Sequence, residues 1–413
     1  MTATPCSFSK DVSLFILDDV GIVFSEAAQE IYELNAAATW IWCQLDEGIA
    51  FDDLPQALTA TFGFEEAKAQ HYLSETLKTW EDLGFLNGKE ALKERSPSTR
   101  RARAPSPTPP LPRRLLNAIK GRRLQQNSRR PIAAYSALSQ DVAVIYPSQD
   151  IADLVHPSVA HVTLDEIDRG RQMTLVEVEE TREGYRIKVD GKMRYRCSLA
   201  NELTPILQYL VFADAISRSA FSVAFHAGAV AIDGQVAVLP GNAGSGKTSL
   251  TAALISCGFQ YLSDDLLLMS EDLRIEGVPF ALCIKDTGVA PLEPYYPDIS
   301  SLALHNRQDG KKVRYLPPPP TAFLKDSPAR FPASWVIFPT YRPEGETTLT
   351  PLNKSKALRQ LLETCTLALP LTHDQVRTFV RWLEALRCYE LKVTSLAEGV
   401  AAVKAVMTSN NEG

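Results

Sequence analysis

Gln235-Val-Ala-Val-Leu-Pro-Gly-Asn-Ala-Gly-Ser-Gly-Lys-Thr-Ser249 decides how the chain is read. Val236 to Leu239 is a β-type run, and Gly241 to Thr248 fits G-x-x-x-x-G-K-[ST]. From Lys247 to Cys257, Leu250 and Leu254 recur at helical spacing. Strand, glycine loop and helix together aim backbone N–H groups at phosphates. Gly241, Gly244 and Gly246 let the backbone curl, and the helix N-terminus adds partial positive charge. The expected nucleotide-binding residues are Gly241, Asn242, Ala243, Gly244, Ser245, Gly246, Lys247, Thr248 and Ser249. Lys247 would reach the terminal phosphates and Thr248 would ligate Mg²⁺, with ATP as the nucleotide. A chance match in a chain this long is expected roughly one per cent of the time.

The loop alone says nucleotide, not transfer. Transfer to a hydroxyl needs an acceptor-activating base and a carboxylate near the metal. Asp264-Asp265 is the candidate pair, just after the apolar Tyr261-Leu-Ser263. One carboxylate would hold Mg²⁺ while the other takes the proton, with Asp265 as the metal candidate. His226, ahead of the loop in Ala224-Phe-His-Ala-Gly228, is the third candidate. The blander readings are a loop start for the aspartates and a structural histidine.

Working outward, the 413 residues suggest two or three domains. The 45% apolar and 22% charged content is that of a globular protein with a sizeable core. A formal net charge of -6 argues against nucleic acid as the partner of the whole chain. Seven scattered cysteines without a C-x-x-C pair argue against a disulfide framework or structural zinc, and fit a reducing compartment. No secretory signal and no apolar run of about 18 residues is found, so a cytoplasmic protein that crosses no membrane is expected.

Three zones separate. Residues 1–90 open with Val12-Ser-Leu-Phe-Ile-Leu17 and Gly21-Ile-Val-Phe24 around Asp18-Asp19-Val20, a hairpin signal. An extended piece at Glu30-Ile-Tyr-Glu-Leu34 follows. Then come helices from Ala36 (capped by Asn35), from Asp52 or Asp53 to Phe62, and from Glu65 to Asp82. This is a small α+β, winged-helix-like domain. Trp40, Trp42 and Trp80 read as its core. Residues 91–134 are rich in Pro, Ser and Arg and read as a flexible basic linker, with Leu115, Leu116 and Ile119 as a short amphipathic element. Residues 135–413 read as an α/β domain with a β-rich leading part, from Met173 to Cys197, ahead of a helix at about Glu202 to Ser219. Strands are expected at Ser222 to His226, Gln235 to Leu239 and Ser334 to Phe338. Helices are expected at Lys354 to Thr364, His373 to Ala385 and Leu396 to Met407.

His226-Ala-Gly-Ala-Val-Ala-Ile, the glycine loop, and Gly258-Phe-Gln-Tyr-Leu-Ser-Asp-Asp265 together resemble the HPr kinase/phosphorylase family. More closely, they resemble its relatives found beside peptide-modifying enzymes. The resemblance implies an HPr-kinase-type P-loop fold over residues 140 to 407, with His226 near the reacting phosphate. It also implies Asp264 as the base, Asp265 aiding metal or geometry, and a homo-oligomer. The chain departs where that family carries Glu-x-Arg. Here Cys283-Ile-Lys285 stands, so Lys285 is the candidate phosphate-facing cation and the acidic metal ligand is missing or moved.

Tyr32-Glu-Leu-Asn-Ala-Ala-Ala-Thr-Trp-Ile-Trp42, Asp53-Leu54 and Leu83-Gly-Phe-Leu86 resemble PqqD-like precursor-peptide recognition domains. The resemblance implies a leader peptide added as a strand on Ile31, Tyr32, Glu33 and Leu34, with Tyr72 and Thr76 beside it. The joint expectation is a kinase for a Ser/Thr hydroxyl of a ribosomally made precursor peptide. Its front domain would grip the leader while a flexible linker lets the back domain reach the core peptide. The alternatives are an ATP-binding peptide chaperone without transfer, and a small-molecule kinase.

Overall fold

In the N-terminal unit, β1 (Val12–Leu17) and β2 (Val20–Ser25) are joined by Asp18 and Asp19, whose φ angles of 49° and 62° make a tight hairpin turn. The third strand, β3 (Glu30–Leu34), pairs antiparallel with β2, so the sheet order is β1-β2-β3 and β3 is an edge. The computed structural model describes residues 7–87, 130–165, 173–307, 309–323, 330–365 and 370–408.

Three helices follow: α1 (Ala36–Asp46), α2 (Leu54–Phe62) and α3 (Glu66–Asp82). Asn35 caps α1 by accepting from the Ala38 N–H at 2.9 Å, as its position predicts. Gly63 ends α2 in the left-handed conformation at φ 71°. Strand pleating divides the sheet's side chains between two faces. Val12, Val23 and Leu34 pack with Ile41, Trp42, Leu73 and Trp80 on the helical side. Trp42 and Trp80 are buried as expected, whereas Trp40 is only half-buried.

The opposite face of this sheet is also buried. Phe15, Leu17, Ile22, Phe24 and Ile31 join one core with side chains of the C-terminal half. The front unit is docked on the rest of the chain, which corrects the expectation of a freely tethered domain. Most of the expected linker lies outside the described residues, including Leu115, Leu116 and Ile119. Its last residues do not: β4 starts at Ile132, three residues before the expected boundary at 135.

The leading part of the C-terminal half is a five-stranded sheet, β4 (Ile132–Ala137), β5 (Gln140–Ile145), β6 (Met173–Thr181), β7 (Gly184–Val189) and β8 (Lys192–Cys197), in chain order. It buries its apolar side with α4 (Gln149–Val155) and α5 (Leu203–Arg218).

A six-stranded mixed sheet forms the centre. It uses β10 (Ala227–Ile232), which follows the short β9 (Val223–Phe225), and β11 (Gln235–Pro240). The helix α6 (Lys247–Ser256) leads into β12 (Gln260–Ser263), and β13 (Leu266–Met269) follows the Asp264-Asp265 turn. A side structure adds β14 (Ile275–Val278), β15 (Leu282–Lys285), α7 (Asp286–Leu292), β16 (His305–Asn306) and β17 (Lys312–Leu316). The chain returns to the centre with β18 (Trp335–Tyr341), β19 (Thr348–Pro351), α8 (Lys354–Leu362), α9 (His373–Glu384), β20 (Arg387–Val393) and α10 (Leu396–Thr408).

The central order is β12-β10-β11-β18-β20-β19, with β11, β18 and β20 parallel. Ala237, Leu239, Ile337 and Leu391 face α6 and α10, while Val236, Val238, Val336 and Phe338 face α8 and α9. The layers are therefore helix, sheet, helix, and the front sheet lies against the α8–α9 layer. Sequence reading missed β10, whose Ala-Gly-Ala-Val-Ala-Ile is mostly small residues with only Val230 and Ile232 β-branched. Its pairing with β11 through Asp233 and Gly234, both at positive φ, supplies the register that propensity does not.

Candidate functional site

The loop from Gly241 to Thr248 leaves β11 and enters α6, as the sequence predicts. Gly244 and Gly246 sit at φ 94° and 88°, where a side chain would strain the backbone. A Cβ on Gly246 would also lie 3.2 Å from Tyr341 Cβ, and the Tyr341 N–H donates to the Ser245 carbonyl at 2.9 Å. The loop is thus pinned against the end of β18. Asn242, Ala243 and Gly244 are exposed, and Thr248 and Ser249 are half-buried at the helix start.

Lys247 is buried and donates to the Asp264 carbonyl, with Asp264 Oδ1 3.5 Å from its ammonium. Asp264 is itself buried, so its carboxylate faces the lysine rather than solvent. Asp265 points the other way. Its side chain is 60% accessible and lies 3.1 Å from His226 Nδ1. The same Nδ1 is 2.7 Å from the Asp265 carbonyl. An Nδ1–H donated to Asp265 leaves Nε2 free to act on a third group. Ser263 holds this turn, its Oγ lying 2.8 Å from both the Leu266 and the Val278 carbonyls, which share its one proton, and accepting from the Leu266 N–H at 3.3 Å.

Charge is concentrated around Asp265. Burial works against its ionisation, but the His226 hydrogen bond and the charges of His226, Lys247 and Arg307 outweigh it. They hold the carboxyl below its ordinary range. The side chain's accessibility tempers the effect by screening. Arg307 was not singled out by sequence. Its Nη1 lies 3.7 Å from Cys283 Sγ, and its Nε lies 3.4 Å from Asp309. Cys283 is the residue standing where the family resemblance led one to expect an acid, so a guanidinium contacts that position instead. Lys285 lies two residues along β15 on the same face as Cys283 and occupies the position before α7, with no capping bond from its side chain. Gly288 of α7 abuts Ser249: a Cβ there would lie 3.1 Å from Ser249 Oγ.

The donor set can be tested against ATP and Mg²⁺. Ser245 Oγ is buried in the loop and has no hydrogen-bond partner, an orphan that a phosphate oxygen would satisfy. Among the described residues, no group of three His, Cys, Asp or Glu side chains is arranged to hold a metal. Mg²⁺ takes one or two protein carboxylates and completes its shell with phosphates and water, so the exposed Asp265 carboxylate and the Thr248 hydroxyl are the groups that would hold it.

At the other expected site, register decides which groups are free. A two-residue turn closes on a pair that exchanges both hydrogen bonds, here Leu17 and Val20. Alternation then bonds Val20, Ile22 and Phe24 of β2 to β1. Phe24 and Ile31 form a wide pair, so Ile31 and Glu33 turn their N–H and C=O out of the open edge of β3. Arg359 of α8 occupies part of that edge: Nη2 lies 3.5 Å from the Ile31 carbonyl and 3.9 Å from Glu33 Oε1. Tyr32 and Leu34 point into the front domain. Tyr72 is committed too, its hydroxyl donating to Asn35 Oδ1 at 2.7 Å and its ring stacking on Phe64. Thr76, one turn along α3, is half-buried.

Residues 21–86 match the family model described as coenzyme PQQ synthesis protein D (PqqD), so a PqqD-like domain occupies the front of the chain. A solved structure with some similarity is TbiB1 in complex with the TbiA(beta) leader peptide. It is 21% identical, with a TM-score of 0.19, covering 20% of this chain and 95% of that one. No curated protein matches the chain. Among the described residues, no helix is long and apolar enough to cross a membrane.

Proposed function

We propose that the chain is an ATP-dependent kinase for a Ser or Thr hydroxyl of a ribosomally synthesised precursor peptide, whose leader the PqqD-like domain holds as an added strand on β3. The observation that carries the transfer step is the convergence of Lys247, Asp264, Asp265 and His226 at the start of α6. Leader recognition draws on the PqqD match and the open β3 edge.

In this reading the loop N–H groups and the α6 N-terminus bind the phosphates. Lys247, now engaged by Asp264, turns to the terminal phosphates when nucleotide enters. Mg²⁺, held by Thr248 and Asp265, would neutralise phosphate charge. The base role moves from Asp264, which is buried against Lys247, to His226, whose Nδ1–H is held by Asp265. His226 Nε2 accepts the hydroxyl proton as the acceptor oxygen attacks the γ-phosphorus and the bond to the bridging oxygen of ADP breaks. Arg307 adds positive charge in the neighbourhood of Asp265.

Incubation with γ-labelled ATP and a candidate precursor peptide, sought as a short open reading frame beside the gene, tests this. Label enters the peptide with the native chain, and Lys247→Ala abolishes entry while peptide binding persists. Full labelling by that variant would sink the assignment. A second reading is an ATP-binding peptide chaperone. Cys283, standing in place of an acidic metal ligand, favours it. Peptide binding that tightens with ATP but yields no phosphopeptide would support it.

A further inference from the structure

One helix touches both candidate sites. At its start, the Lys354 N–H donates to Asp18 Oδ2 of the front hairpin at 3.3 Å. In its middle, Arg359 reaches the Ile31 carbonyl on the edge of β3. Just past its end, Glu363 Oε2 accepts from Asn242 Nδ2 of the glycine loop at 3.5 Å. The next residue, Thr364, accepts the His226 N–H at 2.7 Å through its carbonyl. Arg359 and Glu363 are four residues apart, so they share a face of α8 and are separated by about 6 Å of helix rise. The residues that contact the β3 edge and the phosphate loop therefore sit about one helical turn apart on the same surface.

The docked front sheet fixes this spacing. Five of its side chains, Phe15, Leu17, Ile22, Phe24 and Ile31, are buried in a core shared with Leu358 and Leu361 of α8. Gln29 adds a reciprocal pair of bonds, its Nε2 to the Leu371 carbonyl at 2.9 Å and its Oε1 from the Leu371 N–H at 2.6 Å. Such an interface leaves little freedom for a long swing between leader and active site.

We infer that α8 is the track along which the precursor runs from leader strand to phosphate loop, so that the phosphorylated residue lies within about ten residues of the strand held on β3. Arg359 is the positioning residue at the start of that track. It must yield the Ile31 carbonyl to the incoming strand, because both donors need the same outward acceptor. Even with the two side chains extended, the span from Ile31 to Asn242 is on the order of 20–25 Å, which about seven extended residues cover. This inference rests on the kinase reading, and its test separates the two.

A chain carrying Cys6→Ser, Cys257→Ser and Glu33→Cys is coupled to maleimide-capped Gly/Ala peptides. Each carries one serine, at spacings from about 5 to about 30 residues. Transfer from γ-labelled ATP into the tethered peptide is followed. Control chains carry the tether at Glu183→Cys, on the exposed β6–β7 turn of the five-stranded sheet. The expected result is fastest transfer at spacings within about ten residues, and at least about tenfold faster than from the Glu183 tether at equal spacing. Equal rates from both tethers at every spacing, or an optimum beyond about 20 residues, would overturn the track and leave the kinase standing. No transfer to any tethered or free peptide by a chain that binds ATP would overturn the kinase reading, and the track with it.

Discussion

Arg359 and Ile31 come from opposite ends of the chain, yet the guanidinium of one lies 3.5 Å from the outward carbonyl of the other. The contact occurs because the PqqD-like sheet is buried on both faces, one side on its own helices and the other on α8 and α9. The edge of β3 is therefore part of a surface built by both halves of the protein.

That arrangement makes unfolding of the halves cooperative. Ile22 is fully buried between the front sheet and the C-terminal half. Ile22→Ala is expected to destabilise the chain by about 2–5 kcal/mol. Urea unfolding reports it through Trp40, Trp42 and Trp80 in front and Trp335 and Trp382 behind. A single transition that shifts as a whole is expected. Two separate transitions, with only the first moved, would show independent halves.

Gly21 begins the region matched to the PqqD model, and its place in β2 leaves no room for a side chain. A Cβ there would lie 2.2 Å from Thr39 Oγ1 of α1. Thr39 is held in place by a 2.9 Å bond to the Asn35 carbonyl. Gly21→Ala should therefore destabilise by about 1–3 kcal/mol, and Thr39→Ala in the same chain should recover part of the loss. Thermal unfolding of the two single variants and the double variant measures the coupling. Strict additivity would refute the steric account.

Acid stability should depend on His161. Burial pushes its pKa down to about 4, against a weaker opposing effect of its hydrogen bond to the Pro279 carbonyl. The folded state thus holds fewer protons than the unfolded state between about pH 6.5 and pH 4. The stability contributed by the neutral ring is complete above the unfolded pKa and is lost as pH falls through that window. Its size is on the order of 3 kcal/mol. His161→Phe should flatten the decline in stability measured by urea titration from pH 7 to pH 4. An unchanged slope would assign the decline to other groups.

Local chemistry made part of this legible. The hairpin at Asp18-Asp19, the Asn35 cap and the strand-loop-helix around Gly241 are each written within a few residues. The strand β10 was not, because a run made mostly of Ala and Gly takes its conformation from pairing with β11 and β12 rather than from propensity. Docking was illegible for a related reason. Phe15 and Leu17 alternate with Val12 and Leu14, which announces a strand apolar on both faces but not what covers the second face. Arg307 and Cys283 are 24 residues apart and meet only through pairing of β15, β16 and β17, so no spacing rule marks them. The two aspartates read alike in sequence. Only the fold turns Asp264 inward to Lys247 and Asp265 outward to His226.

In the proposed kinase, Asp265 and His226 act on a peptide hydroxyl. The most direct measurement is intact-mass analysis of a candidate precursor peptide after incubation with MgATP and the purified full chain. The native protein should add the mass of a phosphoryl group, lost when the precursor is treated with phosphatase. Asp265→Asn should slow that addition by about 10²–10⁴-fold, with ATP affinity kept within a few-fold. A precursor that stays unmodified while the chain binds both it and ATP, or an Asp265→Asn chain that phosphorylates at the native rate, would contradict the account.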